Sequence, residues 1–145
     1  MDALELLKHD HDNMKKLFDE ALENDDPGAR AQVLHRIRAE LMAHERMEED
    51  VFFPALRAGG EKAKELLLEG YEDHSIIEVI LDELLEVPEE AEHWQAKLKV
   101  LKANLEQHIE EEEGEMFKRA KEALGKETLE ELGKKMAAVK TAAQA

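Results

Sequence analysis

The sequence has no cysteine. That excludes disulfides, thiolate nucleophiles and iron–sulfur ligation, and it favours the cytoplasm as the compartment. Only three prolines and seven glycines interrupt 145 residues, so few positions break a helix. Val, Ile and Thr together number 13, against 80 for Glu, Ala, Leu and Lys, a balance that excludes a β-rich fold. No apolar run approaches the roughly 18 residues of a membrane span. The opening Met-Asp-Ala-Leu-Glu lacks the basic-then-apolar pattern of a secretion signal. Basic residues are in deficit: 20 Lys and Arg face 36 Asp and Glu, a net charge of −16. Such a chain repels phosphate, so neither nucleic acid nor a membrane is expected as a partner. Hydrophobic residues, in contrast, reach 43%. That is too many for a disordered acidic tail, and the length suits one folded domain.

Turn signals are sparse. Asn24 to Gly28, Gly59-Gly60, Val87-Pro88 and Gly125 separate helical patterns of roughly 20 to 30 residues, with Asp2 and Asp26 placed as caps. Pro54 is expected to kink or end the second pattern. Short connections between long helices make neighbours antiparallel. The fold class is therefore all-α, an up-down-up-down four-helix bundle over residues 1–125. Residues 126–145 are expected to add a short amphipathic fifth helix over 127–139, carrying Leu129, Leu132, Met136 and Val139 on one side, with Thr141 to Ala145 frayed.

The two halves of the bundle repeat. Asp10-His11 returns as Asp73-His74. His44-Glu45-Arg46-Met47-Glu48-Glu49, with Phe53 nine residues after the histidine, returns as His108 to Glu113 with Phe117 at the same distance. Two copies are too few for a solenoid and suit two related helical hairpins.

Polar residues interrupt the apolar seams of these helices. The seams run Leu4, Leu7, His11, Met14, Phe18, Ala21; then Leu34, Ile37, Leu41, His44, Glu48, Val51, Ala55. The third is Leu67, Tyr71, His74, Ile77, Leu81, Leu84, and the fourth Trp94, Leu98, Leu101, Leu105, His108, Glu112, Met116. Steps of three and four mark the buried side of a bundle. An unpaired buried carboxylate costs several kcal/mol, and these seams hold no Lys or Arg to pair Glu48 and Glu112. A bound metal is the simplest partner. At about 1.5 Å per residue, His11 lies about 20 Å below the first turn and His44 about 22 Å along the returning helix. All four helices thus offer an imidazole near mid-height. Four imidazoles and two carboxylates exceed a four-ligand structural zinc site and suit a pair of transition metals, iron first and manganese second. Without metal, Glu48 and Glu112 are expected to repel each other, so the double change to glutamine should stabilise the apo bundle.

Asp10-His11, His44-x-x-x-Glu48-Glu49 ending in Phe53-Pro54, Asp73-His74, and His108-x-x-x-Glu112-Glu113 ending in Phe117 together resemble the hemerythrin-like proteins with the HHE cation-binding domain. The resemblance covers roughly residues 4 to 124. It implies a non-heme di-iron centre with an oxo or hydroxo bridge. By that resemblance His11 and His44 serve one iron, His74 and His108 the other, and Glu48 and Glu112 bridge. The oxygen-carrying members have a further histidine on the third helix, four residues from its partner. Here those positions are Gly70 and Glu78.

Two residues stay open as additions to the six. Tyr71, one turn before His74, is either core packing, a proton donor or an extra iron ligand. Glu78 either occupies the place of the missing histidine or lies at the seam edge. His9, His35 and His93 fall on the surface, and in the run Glu110 to Glu113 only Glu112 is expected to point inward. Three functions follow. The irons react with peroxide, dioxygen or nitric oxide, drawing on an electron donor; or they bind dioxygen reversibly, sense it or deliver iron; or the metal only holds an interaction bundle together. A monomer or weak dimer is expected.

Overall fold

The computed structural model describes residues 1–144. Helix α1 spans Ala3–Glu23 and α2 spans Pro27–Met47; α3 is Glu61–Glu86, α4 is Glu92–Glu111 and α5 is Lys126–Gln144. Among the described residues there is no strand. Both anticipated caps form. The Asp2 carboxylate accepts from Glu5 N at 2.9 Å while Glu5 returns the bond to Asp2 N at 3.1 Å, and Asp26 accepts from Ala29 N at 2.9 Å. Each satisfies main-chain donors that the first helical turn leaves free. Helices α1, α2, α3 and α4 pack as a ring of four, α1 closing against α4.

Helices α2 and α4 do not stop where their regular α-helix ends. Each passes into a π-helical turn, Glu48–Phe52 and Glu112–Met116, and then resumes as α-helix over Phe53–Leu56 and Phe117–Ala123. Pro54 therefore does not itself end the helix, which runs on to Leu56. It sits in the first turn after the π segment. The tight turn Arg57–Gly59 follows, and Gly60 leaves it at φ +96°, a left-handed conformation that suits glycine. The wider π turn also shifts the buried stripe. Val51 and Ala55, expected in the seam, are only half-buried, and Phe52, Phe53 and Leu56 are fully buried instead.

Two apolar clusters fill the bundle. One contains Met14, Phe18, Ile37, Leu41, Ile77, Trp94 and Leu105; the other contains Leu4, Leu7, Met47, Phe52, Phe53, Leu67 and Met116. His11, His44, Glu48, His74, His108 and Glu112 are buried in the layer between them. The helix expected to be short runs five turns, so Thr141 to Gln144 are helical rather than frayed; Ala145 lies outside the described residues. Helix α5 packs on α1 and α2, burying Leu129, Leu132, Gly133 and Met136 with Val139 half-buried. Its last turn is tied down where Gln144 Nε2 donates to Glu40 Oε1 at 3.1 Å.

Candidate metal centre

Each helix of the ring delivers one imidazole into the polar layer, and α2 and α4 add a carboxylate one turn further on. Every ring turns Nε2 inward. His44 Nε2 lies 2.9 Å from Glu48 Oε1, and His74 Nε2 lies 3.2 Å from the same oxygen. His11 Nε2 lies 3.0 Å from Glu112 Oε1, and His108 Nε2 lies 3.4 Å from Glu112 Oε2. Each carboxylate thus reaches one histidine of the first hairpin and one of the second. The potential ligand atoms fall into two sets, His11, His44 and Glu112, and Glu48, His74 and His108, each within 4.8 Å. The rings pair in the same way, His11 with His44 at 5.0 Å between centroids and His74 with His108 at 5.1 Å.

Several of these atoms are close without making hydrogen bonds. Nε2 of His11, His44 and His108, Oε2 of Glu48 and both oxygens of Glu112 are buried and unpartnered. Buried polar atoms are normally satisfied. So many converging orphans in one layer, offering imidazole nitrogen and carboxylate oxygen, fit a site for borderline-hard cations.

The opposite ring nitrogens are all occupied. His11 Nδ1 is 2.6 Å from Glu113 Oε2, His44 Nδ1 is 3.0 Å from Asp10 Oδ2, His74 Nδ1 is 2.9 Å from Glu49 Oε2, and His108 Nδ1 is 3.0 Å from Asp73 Oδ2. A ring whose Nδ1–H donates to a carboxylate presents Nε2 inward and, once that nitrogen gives up any proton, offers its lone pair to a metal, the usual support of a metal-binding histidine. Sequence reasoning missed these four acids. It placed Glu113 on the solvated face, whereas Glu113 turns in to His11. The signal was present: each acid directly neighbours a seam residue in the repeat. Consecutive side chains on an α-helix point about 100° apart. The wider turns at Glu48 and Glu112 shrink that step and bring the half-buried Glu49 and Glu113 round toward the rings.

Phe53 and Phe117 stack on the site's rings, Phe53 on His74 at 5.4 Å and 24°, Phe117 on His11 at 6.5 Å and 17°. Tyr71 stands outside the layer. Its hydroxyl donates to the Glu49 carbonyl at 3.5 Å and its ring meets Phe53 edge-on at 5.0 Å. Glu78 is half-buried and belongs to neither ligand set. His9, His35 and His93 are exposed.

The charges in the layer compensate one another even before any cation enters. Burial lowers the His44 pKa, but the charge of Glu48 beside it and the hydrogen bond to Asp10 push it up to about 10. His74 and His108 are likewise raised: burial opposes this, and the hydrogen bonds of His74 to Glu48 and of His108 to Asp73, with the Glu112 charge beside His108, outweigh it. Burial raises the Glu48 pKa, yet the His44 charge and hydrogen bonds within the layer hold it well below the usual carboxylate range. In the metal-free chain Glu48 is therefore held as a carboxylate beside a charged His44. Glu45 is the exception. It is 4% exposed with both oxygens unpartnered, and burial, with Glu78, Glu49 and Glu48 nearby, raises its pKa to about 8 despite His74.

Comparison with known proteins agrees with this geometry. The sequence model described as Hemerythrin HHE cation binding domain matches residues 2–120. An uncharacterized protein of Mycobacterium tuberculosis is 31% identical over 142 residues, 95% of this chain and 84% of its own length. A DNA nickase of Nostoc sp. is 24% identical over 146 residues; the chain spans only 40% of that protein's length. The crystal structure of a hemerythrin HHE cation binding domain-containing protein from Mycobacterium kansasii superposes with a TM-score of 0.89. It has 30% identity over 99% of this chain and 88% of the other. No helix among the described residues is long and apolar enough to cross a membrane. The chain belongs to the hemerythrin HHE cation-binding family.

Proposed function

We propose that the chain holds two iron ions between His11, His44, His74 and His108, with Glu48 and Glu112 bridging, and that it reacts with small oxidants such as peroxide, dioxygen or nitric oxide. The observation that carries the reading is the reach of the two carboxylates, each within 3.4 Å of a histidine from both hairpins. A pair of irons bound there would supply one-electron and two-electron redox chemistry and Lewis acidity toward a small oxygen or nitrogen ligand. The chain's own contribution is to present four neutral Nε2 donors, each fixed in orientation by a carboxylate on Nδ1. Leu41, Leu105, Ile77 and Met14, all buried, exclude water from the layer and slow the escape of whatever small molecule enters.

Reaction is favoured over reversible carriage because, among the described residues, no additional imidazole reaches either ligand set. Four residues before His74 stands Gly70, and the space beside it is filled by the Phe53 ring. Both ions would keep a position for an exogenous molecule. Tyr71, with its hydroxyl on the Glu49 main chain, would act on the His74 side only through Glu49. The nicking activity named for the Nostoc relative is not carried over, since a net charge of −16 opposes phosphate binding.

The test is iron analysis of the purified protein followed by addition of hydrogen peroxide, with and without a reductant, and separately of dioxygen and nitric oxide. Two irons per chain and sustained peroxide consumption are expected. One tightly held zinc, or dioxygen bound and released through many cycles while peroxide is ignored, would overturn the reading.

A further inference from the structure

The four carboxylates behind the histidines are not equivalent. Glu49 and Asp73, behind His74 and His108, have side chains 36% and 31% exposed, and among the described residues no Lys or Arg pairs with either. Glu113, behind His11, has Lys8 Nζ at 3.6 Å, but that lysine is 62% exposed and water screens the pair. Asp10, behind His44, is 1% exposed and uses both oxygens. Oδ2 accepts from His44 Nδ1 at 3.0 Å, and Oδ1 accepts from Lys140 Nζ at 2.5 Å. Lys140 comes from α5 and also lies 3.4 Å from Glu40, which Gln144 bonds in turn.

A hydrogen-bonded line therefore runs from α5 through Asp10 to the ring of His44. Asp10 is buried between two donors, and Lys140 adds a cation on the oxygen that His44 leaves free. The pair of bonds also fixes the Asp10 rotamer and so the direction of His44 Nε2. The register of α5 that brings Lys140 there is set elsewhere. Leu129, Leu132 and Met136 enter the lower apolar cluster, and Gly133 lies against the Met1–Ala3 main chain, where a Cβ has no room. The family's sequence model ends at residue 120, before α5 begins.

We propose that α5 completes the His11/His44 half of the metal centre, with Lys140 a positioning residue that holds Asp10 on His44, so that docking of α5 and occupancy of that half are linked. The inference rests on the two-ion reading above. Linkage is reciprocal: whatever loosens α5 weakens one of the two metal positions, and metal at that position tightens α5.

The experiment is a cobalt(II) titration of the full chain followed by its optical spectrum, on wild type, Lys140→Met and Lys140→Arg, with hydrogen exchange of α5 before and after loading. Wild type is expected to take two equivalents. Lys140→Met should weaken one step by roughly tenfold, at the lower end of what loss of an outer partner costs, and leave the other step unchanged; Lys140→Arg should restore most of it. Loading should slow amide exchange in α5 of wild type and have little effect in Lys140→Met. A simple loss of stability would weaken both steps and would not be rescued by arginine. Wild-type steps in Lys140→Met overturn the proposal, as does α5 exchange in wild type that ignores metal, a readout that stands even if the variant fails to fold. If wild type takes a single equivalent, the two-ion reading fails while the linkage is still read on that step; no cobalt uptake at all overturns both.

Discussion

The Phe53 ring occupies the space that a side chain at Gly70 would need. A Cβ on Gly70 would meet Phe53 Cζ at 2.8 Å, and the same ring stacks on His74 at 5.4 Å. Four residues before His74, the space that a side chain would use is thus filled by an aromatic ring from the other hairpin. Gly70→Ala is expected to push the ring off His74 and destabilise the protein by about 1–3 kcal/mol, the usual cost of overpacking. Thermal melts check this, and pairing the change with Phe53→Leu should recover part of the loss. A Gly70→Ala protein as stable as wild type would show that the ring moves freely.

The metal-free protein should have a pH dependence set by its histidines. The His44 pKa is raised from 6.5 to about 10, and those of His74 and His108 are raised as well. Their contribution is fully present below about pH 6.5 and is lost as pH rises through the folded value. Glu48, whose pKa is lowered, contributes above about pH 4.5 and fails only in stronger acid. Chemical denaturation of apo protein should therefore show a maximum between about pH 4.5 and 6.5 and a decline toward pH 10.

The same pairing reverses the expectation for the double variant. Glu48→Gln with Glu112→Gln removes the partners of buried imidazolium groups, so the apo protein should lose about 3–5 kcal/mol near neutral pH, the cost of stripping one side from a buried pair. Denaturant melts of the two apo proteins decide the matter. A more stable double variant would restore the idea that the bare carboxylates repel.

Glu45 should behave in the opposite sense to Glu48. Its pKa is raised to about 8, so its stabilising, protonated form is complete below about pH 4.5 and is lost as pH climbs through 8. Glu45→Gln keeps the shape without the charge. The apo variant should melt close to wild type at pH 4 and increasingly above it from pH 6 to pH 9, a difference that melts across this range will read directly.

The carboxylates behind the rings should matter to metal affinity far more than to folding. Asp73→Asn is expected to lower metal affinity 10- to 100-fold, and to cost the apo protein only the part of its stability that Asp73, itself partly exposed, lends to His108. Competition with a chelator measures the affinity. Unchanged affinity would mean that His108 is oriented by its packing alone.

The bundle and the six inward residues could be read in the linear chain because both rest on periodicity. A seam of three- and four-residue steps has one buried side, and His11, His44, Glu48, His74, His108 and Glu112 fall on it whatever the helices do to one another. The residues behind the rings could not be read that way. Asp10 serves His44, Asp73 serves His108, Glu49 serves His74 and Glu113 serves His11, each across a helix–helix contact. Such pairings depend on crossing geometry and on two π turns, where one wider turn changes which side of the helix a residue occupies. Lys140 is the extreme case: it reaches Asp10 across 130 residues of sequence. Nothing local marks it, because a lysine on an amphipathic helix reads as solvent-facing until the docked register of that helix places its Nζ against a buried carboxylate.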